Sequence, residues 1–139
     1  MDCPNGNETV FADTSFYLAV LNPRDVMHAN AVQVGNRIER PVLLSDFILL
    51  ELGNALSAVR QREFFSRLVL HLRSHPNVRI IPASRDLLER GFQLFSRRVD
   101  KAWSLTDCTS FVVMQEEGLT DALTTDHHFE QAGFAVLLQ

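Results

Sequence analysis

Short apolar runs alternate with longer amphipathic stretches along the whole of this chain, and that alternation decides its fold class. Residues 8–12, 41–45, 78–81, 122–125 and 135–138 read as strands. Between them the apolar residues recur at helical spacing, which predicts helices over 14–21, 23–39, 47–60, 61–74, 85–98 and 105–117, and a single turn over 127–131. The punctuation agrees with this reading. Asn22-Pro23 and His75-Pro76-Asn77 break the pattern, and Pro23 suits a first helical position. Ser45 or Asp46 and Ser84 are placed to cap helices, Ser104-Leu105-Thr106-Asp107 has the form of a capping box, and Gly118 stops the helix that follows it. Strands separated by helices imply a mainly parallel sheet of about five strands covered on both faces, a three-layer α/β domain.

With 139 residues the chain is expected to form one domain, 1–139, in which only residues 1–7 fray. No apolar run approaches the ~20 residues needed to span a bilayer, and the first residues carry neither a basic start nor an apolar stretch, so a cytoplasmic location without membrane attachment is expected. Cys3 and Cys108 lie far apart with no Cys-x-x-Cys spacing, and both read as free thiols.

Four acids sit where acids are costly. Asp13, Glu51, Asp107 and Asp126 each interrupt or end an apolar run, and a carboxylate there loses hydration unless something positive meets it. Asp13 and Asp126 directly follow predicted strands, and ligands of parallel sheets gather at strand carboxyl ends. Asp107 falls in the first turn of its helix; Glu51 lies one turn into its own, with Asn54 at i+3 as a candidate partner. Strand tips and helix starts point the same way in this architecture, so the four can converge. The other reading of Asp107 is as the acid of its capping box, and of Asp126 as a helix cap. Convergence would build an oxygen-rich site suited to a hard divalent cation such as Mg²⁺ or Mn²⁺, and with it a metal-dependent nuclease.

The formal charge of −4 argues against a polyanionic partner, but its distribution does not. Residues 60–101 hold ten of the 13 basic residues and four of the 17 acids, a local balance of +6 against −10 for the rest. Twelve of the 13 are Arg, whose planar fork suits phosphate. Arg60, Arg62 and Arg67 are candidate contacts for a nucleic-acid backbone beside the acids. Of the adjacent His127 and His128, neighbours on a helix face different ways, so one belongs to the surface, and His127 is a candidate phosphate contact.

The motifs carrying these residues resemble the PIN-domain ribonucleases, the VapC-like toxins in particular: Asp13-Thr14-Ser15 after a first strand, Glu51-Leu52-Gly53-Asn54, Trp103-Ser104-Leu105-Thr106-Asp107-Cys108, and Leu123-Thr124-Thr125-Asp126-His127-His128-Phe129. The resemblance implies a PIN fold, Mg²⁺ or Mn²⁺ dependence, endonucleolytic RNA cleavage, a homodimer and inhibition by a small antitoxin. It also implies that Asp13, Glu51, Asp107 and Asp126 are the catalytic acids, with Asp13 and Asp107 the foremost metal ligands and Asp100 a fifth acid of lower rank. Thr14, Ser15 and Asn54 are candidate orienting groups. Two other readings stay open: a nuclease-inactive PIN scaffold that binds protein or RNA, and a phosphatase using Asp13 as nucleophile, a class that wants a second Asp where Ser15 stands. A receiver-like signalling domain would want a Lys after a late strand, and Lys101 is the only Lys.

Overall fold

In a computed structural model, which describes residues 8–138, a five-stranded sheet forms with every neighbouring pair parallel and helices flanking it. The expected fraying of residues 1–7, and Cys3 with it, lies outside the described residues; Cys108 is a buried free thiol. The elements run β1 (Val10–Ala12), α1 (Thr14–Leu21), α2 (His28–Arg37), β2 (Val42–Ser45), α3 (Asp46–Ala55), a 3₁₀ turn (Val59–Gln61), α4 (Arg62–Ser74), β3 (Val78–Ile81), α5 (Arg85–Arg97), α6 (Leu105–Glu117), β4 (Asp121–Leu123), α7 (His128–Gln131) and β5 (Ala135–Val136).

The strand order is β3-β2-β1-β4-β5. β1 is central and wholly buried, which is why Val-Phe-Ala is continuously apolar rather than alternating. It pairs with β2 through Phe11 and Leu43 and with β4 through Phe11 and Ala122. The chain therefore winds outward on one side, β1 to β2 to β3, and returns on the other, β4 to β5. The reversal falls between β1 and β4, and the crevice beyond the carboxyl ends of those two strands is where this architecture places a ligand.

The capping signals hold. Ser45 and Ser84 accept hydrogen bonds from the backbone N–H groups of Ile48 and Leu87 at 3.3 and 3.0 Å, and Ser104 and Asp107 form the reciprocal box. α6 is buried along most of its length and ends at Gly118, whose φ of 69° suits glycine. α5 lies close against it because position 91 has no side chain; a Cβ there would come within 2.6 Å of the Thr109 methyl.

β1 begins at Val10 rather than residue 8, and β5 ends at Val136 rather than residue 138; three further differences have a local cause. Residues 23–27 are turns rather than the first part of α2, because the Asn22 and Asp25 side chains accept hydrogen bonds from the N–H groups of Arg24 and Met27 at 3.0 and 2.8 Å, offering the backbone an alternative to the helix. α3 stops at Ala55 rather than running to residue 60; Leu56 turns into the core and the Ser57 carbonyl takes a hydrogen bond from Arg62 at 2.8 Å. β4 ends at Leu123, because Thr124 leaves the ladder to serve the site described next.

Candidate active site

A pocket of about 390 Å³ opens at the β1/β4 switch point, and Asp13, Glu51, Asp107 and Asp126 all line it. No Lys or Arg is among its lining residues. The convergence comes from four separate elements. Asp13 ends β1 and precedes α1; Glu51 comes from α3; Asp107 occupies the first turn of α6; Asp126 follows β4.

Asp13 is only 4% exposed. It stands at the N-cap position of α1 without capping it. Its Oδ2 instead accepts two hydroxyl hydrogen bonds, from Ser15 at 2.9 Å and from Thr124 at 2.8 Å. Burial pushes its carboxyl from the ordinary 3.8 up to about 6; the two hydroxyls oppose that rise, and the charges of Asp107 and Glu51 add to it. Thr124 also accepts the N–H of Asp126 at 3.0 Å, so one buried hydroxyl ties two of the acids together.

Asp107 both completes its capping box and lines the acid pocket. Its Oδ2 accepts the N–H of Ser104 at 3.1 Å, completing the capping box, and lies 3.1 Å from Nδ1 of His128. Burial raises its pKa, the Ser104 N–H and His128 oppose the rise, and the Asp126 charge adds to it. Asp126 accepts the backbone N–H of His128 at 2.9 Å and lies 3.3 Å from the same Nδ1. Glu51 accepts a short hydrogen bond from the Thr14 hydroxyl.

The structure reassigns several neighbours. Asn54 does not partner Glu51. Three residues along a helix leave a rotation of about 60°, and Asn54 faces a second cavity on the other side of α3 while Thr14 holds Glu51. His128 rather than His127 faces the acids: the His127 side chain is 71% exposed against 21% for His128. The ligand atoms of Asp126, His127 and His128 nonetheless lie within 4.8 Å of one another. Asp100 stays outside the pocket, where Arg98 grips both its oxygens and holds its pKa below the usual carboxylate range. No Arg of residues 60–73 lines the acid pocket; Arg62 lines the second cavity, and Arg67 pairs with Glu63. Thr124, the buried link between Asp13 and Asp126, was visible in sequence only as a member of the Leu-Thr-Thr-Asp motif.

A PIN domain family model matches residues 10–135. The chain belongs to the PIN domain family. This PIN domain is 30% identical over 125 residues to the Mycobacterium tuberculosis protein named 23S rRNA-specific endonuclease VapC20, a match covering 90% of this chain and 95% of that one. The crystal structure of VapC20, described as a Sarcin-Ricin loop cleaving toxin, superposes with a TM-score of 0.81 at 29% identity over 91% of this chain and 96% of its own. FitAcB of Neisseria gonorrhoeae gives a TM-score of 0.64 at 20% identity, covering 91% of this chain and 95% of that one, a likeness of fold. Among the described residues no helix is long and apolar enough to cross a membrane.

Proposed function

We propose that this PIN domain is a toxin-type endoribonuclease that hydrolyses phosphodiester bonds of RNA with Mg²⁺ or Mn²⁺ held by Asp13, Glu51, Asp107 and Asp126. The observation that carries the reading is that four carboxylates share one pocket with no Lys or Arg in its walls. Two of them, Asp13 and Asp107, are more than nine-tenths buried with raised pKa values. The protein brings them only neutral hydroxyls, a backbone N–H and one imidazole, so their charge is left to be met from outside; oxygen donors in that number fit a hard divalent cation. Such a cation, when bound, acidifies a water molecule and neutralises charge on the phosphodiester under attack.

The chain's own residues supply geometry. Ser15 and Thr124 fix the Asp13 carboxylate, Thr14 fixes Glu51, and the capping box fixes Asp107 at the start of a buried helix. The Nδ1 of His128 sits between Asp107 and Asp126 and orients both. The substrate class is supported by kinship with VapC20; by the same kinship the reading includes a cytoplasmic location, a small antitoxin partner, a homodimer and a single catalytic domain, 1–139.

The test is cleavage of ribosomal RNA and of single-stranded oligoribonucleotides with Mg²⁺ or Mn²⁺ and with excess chelator, alongside thermal melting with and without metal. Cleavage confined to the metal-containing samples is expected, with a rise in Tm, since a ligand at 100 times its dissociation constant adds about 2.7 kcal/mol to the folded state. Persistent cleavage in chelator would overturn the metal assignment. A metal-dependent Tm without any cleavage would identify the nuclease-inactive scaffold instead.

A further inference from the structure

α3 is a wall shared by two cavities. It turns Glu51 and Ala55 toward the acid pocket, and Leu50, Gly53 and Asn54 toward a groove of about 390 Å³ that Ser57, just past its end, and Phe65 and Arg62 of α4 complete. We propose that this groove receives the base of an unpaired ribonucleotide next to the phosphate at the acid pocket, with Leu50 and Phe65 against the base faces, Asn54 at its edge and Arg62 on the backbone. The inference rests on the endoribonuclease reading and adds to it a determinant of which nucleotide flanks the cut.

An aromatic ring forms one wall of the groove. A Cβ at position 53 would lie 2.9 Å from Cζ of Phe65, so the glycine lets the tip of the Phe65 ring rest against the α3 backbone. Leu50, 61% exposed, stands at the mouth. Apolar and aromatic faces hold bases by stacking, and an exposed amide such as Asn54 offers both a donor and an acceptor to a base edge. Charge complements the shape. Arg62 is anchored by its Nη1 on the Ser57 carbonyl at 2.8 Å, and a guanidinium so placed keeps further N–H donors for phosphate. Position completes the argument. Residues three apart on a helix have Cβ atoms roughly 5–6 Å apart, so Asn54 is one turn from Glu51, within the reach of a nucleotide whose phosphate enters the acid pocket.

The experiment measures binding rather than cleavage, by fluorescence anisotropy of a labelled single-stranded oligoribonucleotide in chelator and in Ca²⁺, intact or with one abasic residue at successive positions. One abasic position is expected to weaken binding by roughly 5- to 150-fold, the range for loss of one stacked base. Leu50→Ser, at an exposed site, should weaken binding of the intact oligonucleotide by a similar factor and add nothing once the abasic residue is present. Arg62→Gln should weaken all oligonucleotides alike and flatten the salt dependence. Penalties that multiply, unchanged RNA binding by Leu50→Ser, absence of any sensitive position, or no binding in either medium would each overturn the proposal; unchanged RNA binding would return the groove to a protein partner. Failure of the endoribonuclease reading is seen separately, as absence of cleavage in Mg²⁺ or Mn²⁺ by a protein whose binding follows the expected pattern.

Discussion

The acids on and around α5 and the acids of the pocket are the same residue types under opposite rules. On the outer surface Arg90 meets both Asp86 and Glu116, Arg85 meets Glu89 at 3.8 Å, and Arg98 holds Asp100 with two hydrogen bonds. In the pocket no Arg or Lys is present, yet two of the four carboxylates are buried. Surface pairs are nearly neutral for stability, whereas crowded buried carboxylates are a cost to the folded state. Twelve Arg were available to a chain that leaves this pocket without any. The difference sets the acids of the pocket apart from acids that serve the fold by pairing with Arg.

The largest expected effect is on catalysis. Asp107→Asn removes a charge but keeps an oxygen able to accept the Ser104 N–H, so the helix start should survive. Cleavage should fall at least about 100-fold, because even residues that only orient a metal's ligands cost about 10- to 100-fold when lost. Asp86→Asn on α5 should leave the rate unchanged. Equal rates for wild type and Asp107→Asn would reduce Asp107 to a helix cap and erase the distinction between the two regions.

The second effect is a pH dependence of metal-free stability. The folded Asp13 carboxyl titrates at about 6 and its ordinary value is 3.8. Below about pH 4 both states hold the proton; between about 4 and 6 only the unfolded chain releases it; above 6 both are ionised. Stability should therefore fall as pH rises through that window and level off beyond it. Two pKa units correspond to roughly 3 kcal/mol. Asp13→Asn should flatten the profile and make the apo protein more stable at pH 7, measured by urea unfolding from pH 3.5 to 7.5. A variant with the same slope as wild type would assign the titration elsewhere.

What the sequence made legible follows the range of the interactions. Strands, helix caps and the four acids are local patterns, and Ser104 to Asp107 announces its box within four residues. The turn at 22–27 is also local, but there the Asx side chains compete with a Pro-led helix signal and win. What stayed hidden is long-range. The bond from Thr124 to Asp13 spans 111 positions, and nothing in periodicity pairs a threonine with an acid at the far end of the chain. Likewise, which of His127 and His128 turns inward depends on the phase of a four-residue helix set by the fold around it, and the groove exists only because α4 brings Phe65 onto Gly53.

Thr124 offers a third, smaller test of the contrast between hydroxyl and Arg partners. Thr124→Val keeps the shape and removes the hydroxyl, leaving the Asp126 N–H without its acceptor and Asp13 without one donor. Destabilisation of about 1–3 kcal/mol is expected from the groups left unpaired. The Asp13 transition should also move to higher pH, since one of the two hydrogen bonds that favour its ionised form is gone. A stability loss with an unmoved transition would show that Thr124 supports packing but not the charge of Asp13.

The smallest effect belongs to the surface region and checks the comparison from the other side. Glu63 and Arg67 form an i,i+4 pair on α4, with side chains 72% and 71% exposed. In water such a pair gains little, because solvent screens the attraction and two long side chains lose freedom in holding one geometry, so Glu63→Gln should cost only about 0.3–0.5 kcal/mol. That loss should shrink further in 0.5 M salt. It should also leave Arg67 free to meet a polyanion, so RNA binding at low salt should hold or tighten slightly rather than weaken. A loss of more than about 1 kcal/mol, insensitive to salt, would mean that exposed ion pairs carry real stability in this chain. The lack of Arg in the acid pocket would then cost the fold more than burial alone, and the two regions would differ in degree rather than in kind.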